Sequence, residues 1–508
     1  MNSGASTPSD EELLGPRERL HPLYLLTGLD QALKGAWGLL AAGAYFAAKG
    51  NWMIVAISAA LLALFSIGGL YIRWIKLEYR VGPHEIRIDS GWLNRTSRAI
   101  PFDRVTDVDL EQGPLHRLFK LARGKLETGG SANAKEEEGV LHTIALERAE
   151  ALREHVRGAK GIAVAARQAE ANVADAPPIY AMDHRRVLTA GLFNFSLAVI
   201  AGLVGVTQTM GDALGFDPFE RSFWLEVLDR SEPLQQLVMA HRMAAISAGT
   251  ILLLLLGIGT GLVRTLLREH GFRLDRSETG FRRRRGLLTL TDVSIPAKRV
   301  QAAILANGPI RRHFGWWVLK LQSLAQDGGK GDHVVAPLAR QEEAATILRT
   351  LDWPTSPAGG DWEPVSRAFV TSYAMMVLPL MVIPPALSLL VPPAPLVAEE
   401  APLVGVAALL WIAAAPVLVA ARWLNWRWTR HAMNDDALFI ATGWWRHRRS
   451  IVPRLKIQSI DIAESWWGRL FGICTLRLGI AGGSGFSDHH VPALTRARAR
   501  ALREELLA

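Results

Sequence analysis

The 508-residue chain is poor in cysteine and shows no removable targeting signal. Cys474 is the only cysteine, so no disulfide can form within the chain, and a reducing compartment is favoured. The first twenty residues are polar and do not show a charged segment followed by an apolar one and a cleavage site. We therefore expect no removable signal peptide, and we expect the first pair of apolar segments to direct membrane insertion.

Stretches rich in glycine or histidine lack the partners that a catalytic or metal site requires. Gly482 to Gly485 is followed by neither Lys-Ser nor Lys-Thr, which favours a strand connection over a phosphate cradle. Asp488 to His490 has no further ligand set at helix or hairpin spacing, and the group around His431 is equally weak. We therefore predict no enzymatic activity, no cofactor and no metal site.

Charged residues are absent from the middle of six long apolar runs. Most runs reach the ~20 residues that a helix needs to cross ~30 Å of hydrocarbon. Buried core helices of that length are rarely apolar on every face, so we favour six transmembrane helices. The missing central charges disfavour an ion-coupled transporter, although prolines in the last two runs keep a lipid or small-solute transporter as the alternative. The runs are 32–48, 52–72, 187–206, 243–263, 368–391 and 402–421.

The net charge of +9 follows the ends of the apolar runs and does not form a nucleic-acid-binding patch. Arg and Lys cluster at the run ends that face the intervening polar modules, whereas the loop 207–242 carries six acids against three arginines. The positive-inside rule then predicts that the modules and both termini face the cytoplasm. We predict contact with the bilayer and its anionic headgroups, and no nucleic-acid partner.

One motif occurs three times after the three pairs of apolar runs. Its order is Gly, Pro, Arg or Lys, Val or Ile, Arg, and Phe, with the same spacing in every copy, so the chain is an array of one repeated module. The copies are Gly91, Pro101, Arg104, Val105, Arg117 and Phe119; Gly286, Pro296, Arg299, Val300, Arg312 and Phe314; and Gly443, Pro453, Lys456, Ile457, Arg469 and Phe471.

Each module is predicted to consist of several short strands followed by one helix. Apolar and polar residues alternate over 85–89, and apolar residues recur at helical spacing near the end of each copy. This pattern predicts a small β-sandwich or barrel with a helical cap. The predicted division is a disordered cytoplasmic tail (1–26), transmembrane hairpin 1 (27–74), module 1 (75–157), linker (158–184), transmembrane hairpin 2 with outer loop 207–242 (185–266), module 2 (267–351), linker (352–366), transmembrane hairpin 3 (367–424) and module 3 (425–508).

These residues carry a family resemblance. Two membrane helices followed by Gly91-Trp92-Leu93, Ile100-Pro101, Arg104-Val105 and Leu115 to Phe119 resemble the bacterial pleckstrin-homology-like (PH-like) membrane proteins of the YdbS and YdbT type. The second and third copies match through the same positions, and the second departs most because it lacks the Leu before Phe314. The resemblance implies two packed antiparallel sheets capped by a helix, no known enzymatic activity, and binding of proteins or lipids. It also implies a location in a bacterial inner membrane.

Two basic runs flank the first turn of their modules. In eukaryotic PH domains a basic first hairpin holds phosphoinositides, so contact with anionic lipid is one hypothesis here. A solvated charged face or a topology signal is the other. The candidate residues are Arg282, Arg283, Arg284, Arg285, Arg446, Arg448 and Arg449.

The remaining motif residues are predicted to be structural. The arginine that precedes the repeated Phe by two residues is expected to pair with an acid and fix a turn, in preference to binding a ligand. The sequence as a whole predicts a non-catalytic membrane adaptor or scaffold that binds a membrane protein partner or anionic lipid through its modules.

Overall fold

The computed structural model describes residues 15–28, 52–91, 95–128, 139–159, 177–195, 241–277, 279–327, 330–357, 362–390, 401–481 and 489–507. The chain divides into two compact units, residues 1–294 and 295–508. This division falls inside the second repeat, within the strand that ends at its motif proline. The compact units therefore do not coincide with the repeats, and the module boundaries proposed from the sequence stay a prediction.

Helices provide the apolar segments and the cap of each repeat. They are α1 (Tyr24–Thr27), α2 (Trp52–Lys76), α3 (Pro114–Leu118), α4 (Leu146–Ala159), α5 (His184–Leu192), α6 (Arg242–Glu269), α7 (Pro309–His313), α8 (Gln341–Arg349), α9 (Ala368–Leu390), α10 (Ala401–Trp428), α11 (Trp466–Leu470) and α12 (Arg496–Leu507).

Strands make up most of each repeat. They are β1 (Glu18–Arg19), β2 (Glu78–Val81), β3 (Glu85–Ser90), β4 (Thr96–Pro101), β5 (Val105–Gln112), β6 (Leu121–Thr128), β7 (Val140–Ala145), β8 (Tyr180–Ala181), β9 (Arg273–Ser277), β10 (Gly280–Arg285), β11 (Leu290–Pro296), β12 (Val300–Asn307), β13 (Trp317–Asp327), β14 (Lys330–Ala339), β15 (Glu363–Pro364), β16 (Arg430–Met433), β17 (Ala437–Thr442), β18 (His447–Pro453), β19 (Ile457–Ala463), β20 (Ile473–Ile480) and β21 (His490–Thr495).

The first unit contains the whole first repeat, which is a two-sheet sandwich closed by a helix. One sheet has the order β1-β2-β3-β4, and the other contains β7-β6-β5. Ile86, Val108 and Leu152 bring the two sheets and α4 into one apolar core. Strand β5 also pairs with β11, so the second sheet continues through β10, β9 and β8 of the next repeat as seven strands.

The second unit has the same arrangement, formed by the later strands of the second repeat and by the third repeat. Its seven-stranded sheet has the order β14-β13-β12-β18-β17-β16-β15, and the third repeat completes its sandwich with β19-β20-β21. Leu438, Leu476 and Leu502 lie in one core that joins both sheets to α12. The first and third repeats thus have the predicted β-sandwich with a helical cap.

Within the described residues, three helices are long and apolar enough to cross a membrane, namely Ser247–Glu269, Ala368–Leu389 and Gly405–Trp428. Their apolar side chains are largely exposed in the protein, as lipid-facing side chains would be. The predicted run 32–48 lies outside the described residues, and so does most of 187–206 and the outer loop 207–240. Trp52–Lys76 is one helix that contains a shorter apolar stretch, Trp52–Leu61. The structure therefore supports three candidate spans of the six predicted.

Residues 15–26 are not the disordered tail that we predicted for 1–26. Strand β1 pairs with β2, and Leu20 and Tyr24 are buried in the core of the first repeat. The predicted linkers 158–184 and 352–366 also end in sheet strands, since β8 pairs with β9 and β15 pairs with β16. A two-residue strand has too few residues to show an alternating pattern, so the sequence analysis missed all three.

Candidate binding surface at the junctions between repeats

Consecutive repeats share sheets at two places, here called junction A and junction B. Junction A is the antiparallel pairing of β5 with β11 in the first unit, and junction B is that of β12 with β18 in the second unit. In both junctions, the residues that face each other lie at the same sequence distances from the motif Val of one repeat and from the motif Gly of the next. The two junctions therefore share one register. The opposed pairs are Leu110–Asp292, Glu111–Thr291 and Gln112–Leu290 in junction A, and Leu305–Arg449, Ala306–Arg448 and Asn307–His447 in junction B.

The motif glycine and the motif arginine meet across each junction. Arg117 donates from Nη1 to the carbonyl of Leu287, and Arg312 donates from Nη1 to the carbonyl of Trp444 at 3.1 Å. Each acceptor directly follows the motif glycine of the next repeat. The predicted pairing of this arginine with an acid is therefore corrected for Arg117 and Arg312, because each donates to a backbone carbonyl.

The motif glycines are required by their backbone conformation. Gly91, Gly286 and Gly443 have φ angles of 99°, 117° and 81°, where an L side chain is strained. A Cβ on Gly286 would lie 1.9 Å from the carbonyl oxygen of Thr289, and one on Gly443 would lie 2.2 Å from that of Arg446. These turns hold the carbonyl that the motif arginine contacts.

The remaining motif residues shape the strands on either side. Pro101, Pro296 and Pro453 are the last residues of β4, β11 and β18, where a missing N–H does not interrupt the sheet. Val105 and Val300 are fully buried, and the Lys456 ammonium donates to the carbonyl of Lys298 at 2.9 Å. Arg104 is exposed and Arg299 is half-buried after the same proline turn.

Junction A is organised around one carboxylate. Asp292 accepts hydrogen bonds from Arg282 Nε at 2.9 Å and from Arg284 Nε at 3.0 Å. Arg153, on α4 of the preceding repeat, approaches the same carboxylate at 3.5 Å. Burial alone would raise the pKa of Asp292, but the hydrogen bond from Arg282 and the charges of the three arginines hold it well below its ordinary value.

Junction B is filled by aromatic rings and a neutral histidine. The His447 ring lies between Trp317 and Trp428, with ring centroids 5.9 and 5.2 Å away. Its Nδ1 lies 3.1 Å from the carbonyl of Gly443, and Nε2 accepts from Arg449 Nε at 3.2 Å, an arrangement that suits the neutral ring. Burial lowers the pKa of His447 to about 4, against the opposing effect of the Gly443 hydrogen bond. Burial also lowers the pKa of Arg449.

The basic runs are mostly engaged inside the protein. Strand β10 alternates faces, so Arg283 is 0% exposed and Arg285 lies against Glu269 at 3.0 Å, while Arg282 and Arg284 face Asp292. In the third repeat, Arg449 stacks on Trp317 at 5.0 Å, and Arg448 is half-buried with its Nε 3.3 Å from Ser450 Oγ. Of the seven candidates for lipid contact, Arg284 and Arg446 keep an exposed side chain.

Exposed apolar side chains mark a short helix in each repeat, at α3, α7 and α11. We call these three groups the apolar tips. Each tip contains or lies beside the motif arginine and the motif phenylalanine. Large apolar side chains that served only for packing would be buried in a folded core, whereas the tip side chains are exposed. The tips are Leu115, Leu118 and Phe119; Ile310 and Phe314; and Trp466 and Leu470.

Each tip is tied to the end of a long apolar helix. Arg117 lies next to Leu118 of the first tip and donates to the carbonyl of Leu287. The backbone N–H of Leu287 in turn donates to the carbonyl of Leu267 in the last turn of α6. Arg312 of the second tip stacks on Trp428, the last residue of α10, at 4.4 Å. Trp467 of the third repeat donates to the carbonyl of Ser372 in α9 at 3.0 Å. If these helices cross the bilayer, the tips lie near its surface.

Sequence analysis missed two contacts that hold the hairpins against the sandwiches. Trp74 donates from Nε1 to the carbonyl of Leu20, and Trp426 donates in the same way to Val365, both at 2.9 Å. Each tryptophan lies two residues before the end of the second helix of its hairpin. The second repeat has Leu267 at this place. The signal that could have predicted these two contacts is a tryptophan at the same distance from the helix end in two of the three copies.

The histidines considered as metal ligands have other partners. His489 is buried, and its Nε2 lies 2.7 Å from Oε1 of Gln322, while His431 Nε2 lies 3.4 Å from Glu363. Within the described ranges, His, Cys, Asp and Glu do not form a group of three that could hold a metal ion. Gly482 to Asp488 lie outside the described residues.

Comparison with known families gives three matches along the chain. The bacterial PH domain family matches residues 28–160, 223–353 and 379–508, which together cover most of the chain and include each copy of the motif. Each matched segment includes at least part of an apolar run as well as the module that follows it.

Two curated proteins of Bacillus subtilis (strain 168) are similar to the chain. UPF0699 transmembrane protein YdbT is 25% identical over 303 residues, which cover 58% of this chain and 57% of YdbT. UPF0699 transmembrane protein YdbS is 30% identical over 107 residues, which cover 20% of this chain and 64% of YdbS. The matches thus span less than two thirds of either relative. No solved structure matches the chain significantly.

Proposed function

The chain belongs to the bacterial PH domain family, and on that premise we propose that it is a non-catalytic membrane adaptor. In this proposal, three membrane-anchored PH modules lie against the cytoplasmic surface of the inner membrane. Their apolar tips enter the membrane–water interface and there contact a second membrane protein. The similarity to proteins named as transmembrane supports the membrane part of this proposal.

The position of the apolar tips carries the proposal. Leu118 and Trp466 are 73% and 72% exposed although both are large and apolar. Both tips are hydrogen-bonded to elements at the ends of apolar helices. Side chains of this kind favour the interface between headgroups and hydrocarbon, where they lose contact with water without entering the bilayer core.

The arginine arrangement favours an apolar docking mode over recognition of a headgroup by a basic pocket. Arg283 and Arg285 are buried and Arg282 is engaged with Asp292. Arg284, which also donates to Asp292, and Arg446 keep exposed side chains. Anionic lipid would then add a weak electrostatic contribution, about 1 kcal/mol for each cation near the surface.

Fluorescence quenching in proteoliposomes tests the depth of the tips. In full-length protein with Cys474→Ala, a fluorophore on Phe119→Cys or Phe314→Cys should be quenched strongly by nitroxide lipids labelled near the headgroup. The same fluorophore on Glu150→Cys, an exposed position of α4, should be quenched weakly. Equal quenching at Phe119 and Glu150 would contradict interfacial docking.

Site-specific photocrosslinking in native membranes tests the partner. A benzophenone side chain at Leu118 should produce an adduct with one membrane protein, and the same group at Glu150 should not. Adducts with lipid alone would refute the protein partner while leaving the interfacial position of the tip intact.

A further inference from the structure

We propose that copies of this chain associate head to tail, with strand β19 of one copy pairing with strand β4 of the next in the register of junctions A and B. The surface involved is distinct from the apolar tips, and the inference does not rest on the proposed function. It follows from the way three equivalent repeats form two junctions.

Every repeat has one strand of each kind that a junction requires. The strand before the motif proline is β4, β11 or β18, and the strand after it is β5, β12 or β19. Junction A uses β5 with β11, and junction B uses β12 with β18. In the described part of the chain, β4 and β19 each end their sheet. They are the two halves of a third junction.

Burial distinguishes the paired strands from these two. All residues of β12 are buried except Ala306, whereas β19 has no fully buried residue. In β18 four of seven residues are buried, whereas in β4 the first four of six are exposed. An exposed strand at the edge of a sheet is a template for pairing with another chain.

The register of the existing junctions predicts the residues that face each other between copies. We count residues of β19 from Ile457 and residues of β4 from Gly91, at the offsets found in junctions A and B. This gives one set of opposed pairs. They are Glu464–Arg95, Ala463–Thr96, Ile462–Ser97, Asp461–Arg98 and Ile460–Ala99. Two of the five pairs place an acid opposite an arginine, and such cross-strand pairs stabilise a sheet.

The charges also select the partner strand. Two β4 strands would bring Arg95 and Arg98 together, and two β19 strands would bring Asp461 and Glu464 together. Like charges oppose both symmetric pairings, so β4 with β19 is the favoured combination. Arg496 holds the Glu464 carboxylate at 2.8 Å, which fixes the position of that acid at the end of β19.

The proposed interface brings the third motif arginine toward the first motif glycine. Arg469 is the counterpart of Arg117 and Arg312, and it is exposed. Gly91 is the counterpart of Gly286 and Gly443, with the same positive φ. In the proposed interface Arg469 of one copy approaches Gly91 of the next.

An interface between two different surfaces does not close on itself in a pair. It generates a ring when the rotation between copies closes, and an open array when it does not. Copies inserted in one bilayer with the same orientation are related by rotation about the membrane normal, so a lateral ring or array in the membrane plane is the expected assembly.

Disulfide crosslinking in native membranes tests the register. One tagged chain carries Ala463→Cys, a differently tagged chain carries Thr96→Cys, and both carry Cys474→Ala. We expect a disulfide between the two tags. Replacing Thr96→Cys by Ser97→Cys moves the thiol to the other face of β4 and should reduce the crosslink at least roughly tenfold. Equal crosslinking of both pairs would overturn the proposal. A third sample has Ala463→Cys and Thr96→Cys in the same chain, and a disulfide that forms only within that chain would also overturn the proposal.

A charge swap tests the same interface by mass measurement in lipid nanodiscs or mild detergent. Asp461→Arg alone and Arg98→Asp alone should each raise the dissociation constant of self-association by roughly 5–30-fold, because an attraction becomes a repulsion. An equimolar mixture of the two variants should regain association with the two variants alternating, because β19 of each variant is then complementary to β4 of the other. Glu504→Arg, an acid-to-arginine control on α12, should associate as the unchanged protein does. A monomeric unchanged protein, or a mixture that does not associate, would overturn the proposal.

Discussion

Junctions A and B have the same backbone register and different side-chain chemistry. Junction A places Asp292 among Arg153, Arg282 and Arg284. Junction B has Arg449 at the same motif offset as Asp292, and it surrounds the neutral His447 with aromatic rings. The shared motif glycine and arginine thus fix how the repeats join, because they act through backbone groups. The side chains that fill the joint vary because any set that satisfies its own charges is compatible with that backbone.

The largest expected effect comes from removing the carboxylate of junction A. Asp292→Ala leaves the buried Arg153 and the Arg282 guanidinium without the acid they share, which should cost about 3–5 kcal/mol. Hydrogen-exchange mass spectrometry of β5 and β11 in the full-length protein measures the opening free energy. Arg449→Ala, at the matching place of junction B, should cost only about 1–2 kcal/mol. A larger loss from Arg449→Ala would contradict the assigned role of Asp292.

Acid should weaken junction B and leave junction A unchanged. Because the pKa of His447 is lowered to about 4 from its ordinary 6.5, the unfolded state binds more protons between those values. Stability is therefore fully present above pH 6.5 and falls by about 3 kcal/mol as the pH approaches 4. Exchange protection of β18 should decline over this range, whereas that of β11 should hold because the pKa of Asp292 lies below it.

A His447→Gln variant serves as the control for this titration. It cannot gain a proton, so the decline at β18 should become much shallower. His431, whose pKa is also lowered mainly by burial, keeps a residual slope in the second unit. An unchanged decline in His447→Gln would assign the pH dependence to another group.

The motif glycines should behave alike at both junctions. Gly286→Ala and Gly443→Ala place a Cβ against a backbone carbonyl at positive φ, and each should cost about 2 kcal/mol. Gly308→Ala is the matched control, since no atom lies within 4 Å of its added Cβ and its backbone is extended. The readout is exchange protection of the adjoining turn. A similar loss from Gly308→Ala would show that turn geometry is not the cause.

The smallest effect should separate the two motif arginines. Arg117→Ala removes a hydrogen bond to the carbonyl of Leu287, for a loss of about 1 kcal/mol. Arg312→Ala also removes the stacking on Trp428 and should lose about 0.5–1 kcal/mol more. Lysine at either place keeps the charge without the planar group, so Arg312→Lys should recover less than Arg117→Lys. Equal losses would mean that the Trp428 contact contributes nothing.

Sequence reasoning located the repeats because six residue types recur at one spacing. Gly286 marks a turn that only glycine adopts without strain, and the helical caps showed apolar residues at helical spacing. The alternation around Phe281 was hidden, because Arg283 and Arg285 occupy inward positions that usually hold apolar residues. A run of four arginines therefore suggested a lipid site, although two of its members are buried and the other two bond to Asp292.

The short strands β1, β8 and β15 could not be predicted for a different reason. They form because they lie beside an existing sheet edge, and a two-residue segment has no periodicity of its own. The repeated motif pointed to the tip residues Leu118 and Phe314, but the sequence did not show that their side chains are exposed. Their exposure depends on the adjoining helix ends, which are distant in sequence.

The sequence alone determined the number of repeats, their kind and their attachment to apolar helices, because these depend on local spacing and composition. The tertiary structure alone decided that each repeat shares a sheet with the next, and that Arg117 and Arg312 act across that boundary. Strand pairing between repeats joins residues more than a hundred positions apart, and no local pattern encodes which edges meet. Only when the two junctions are seen to share one register do β4 and β19 appear as the two halves of a third.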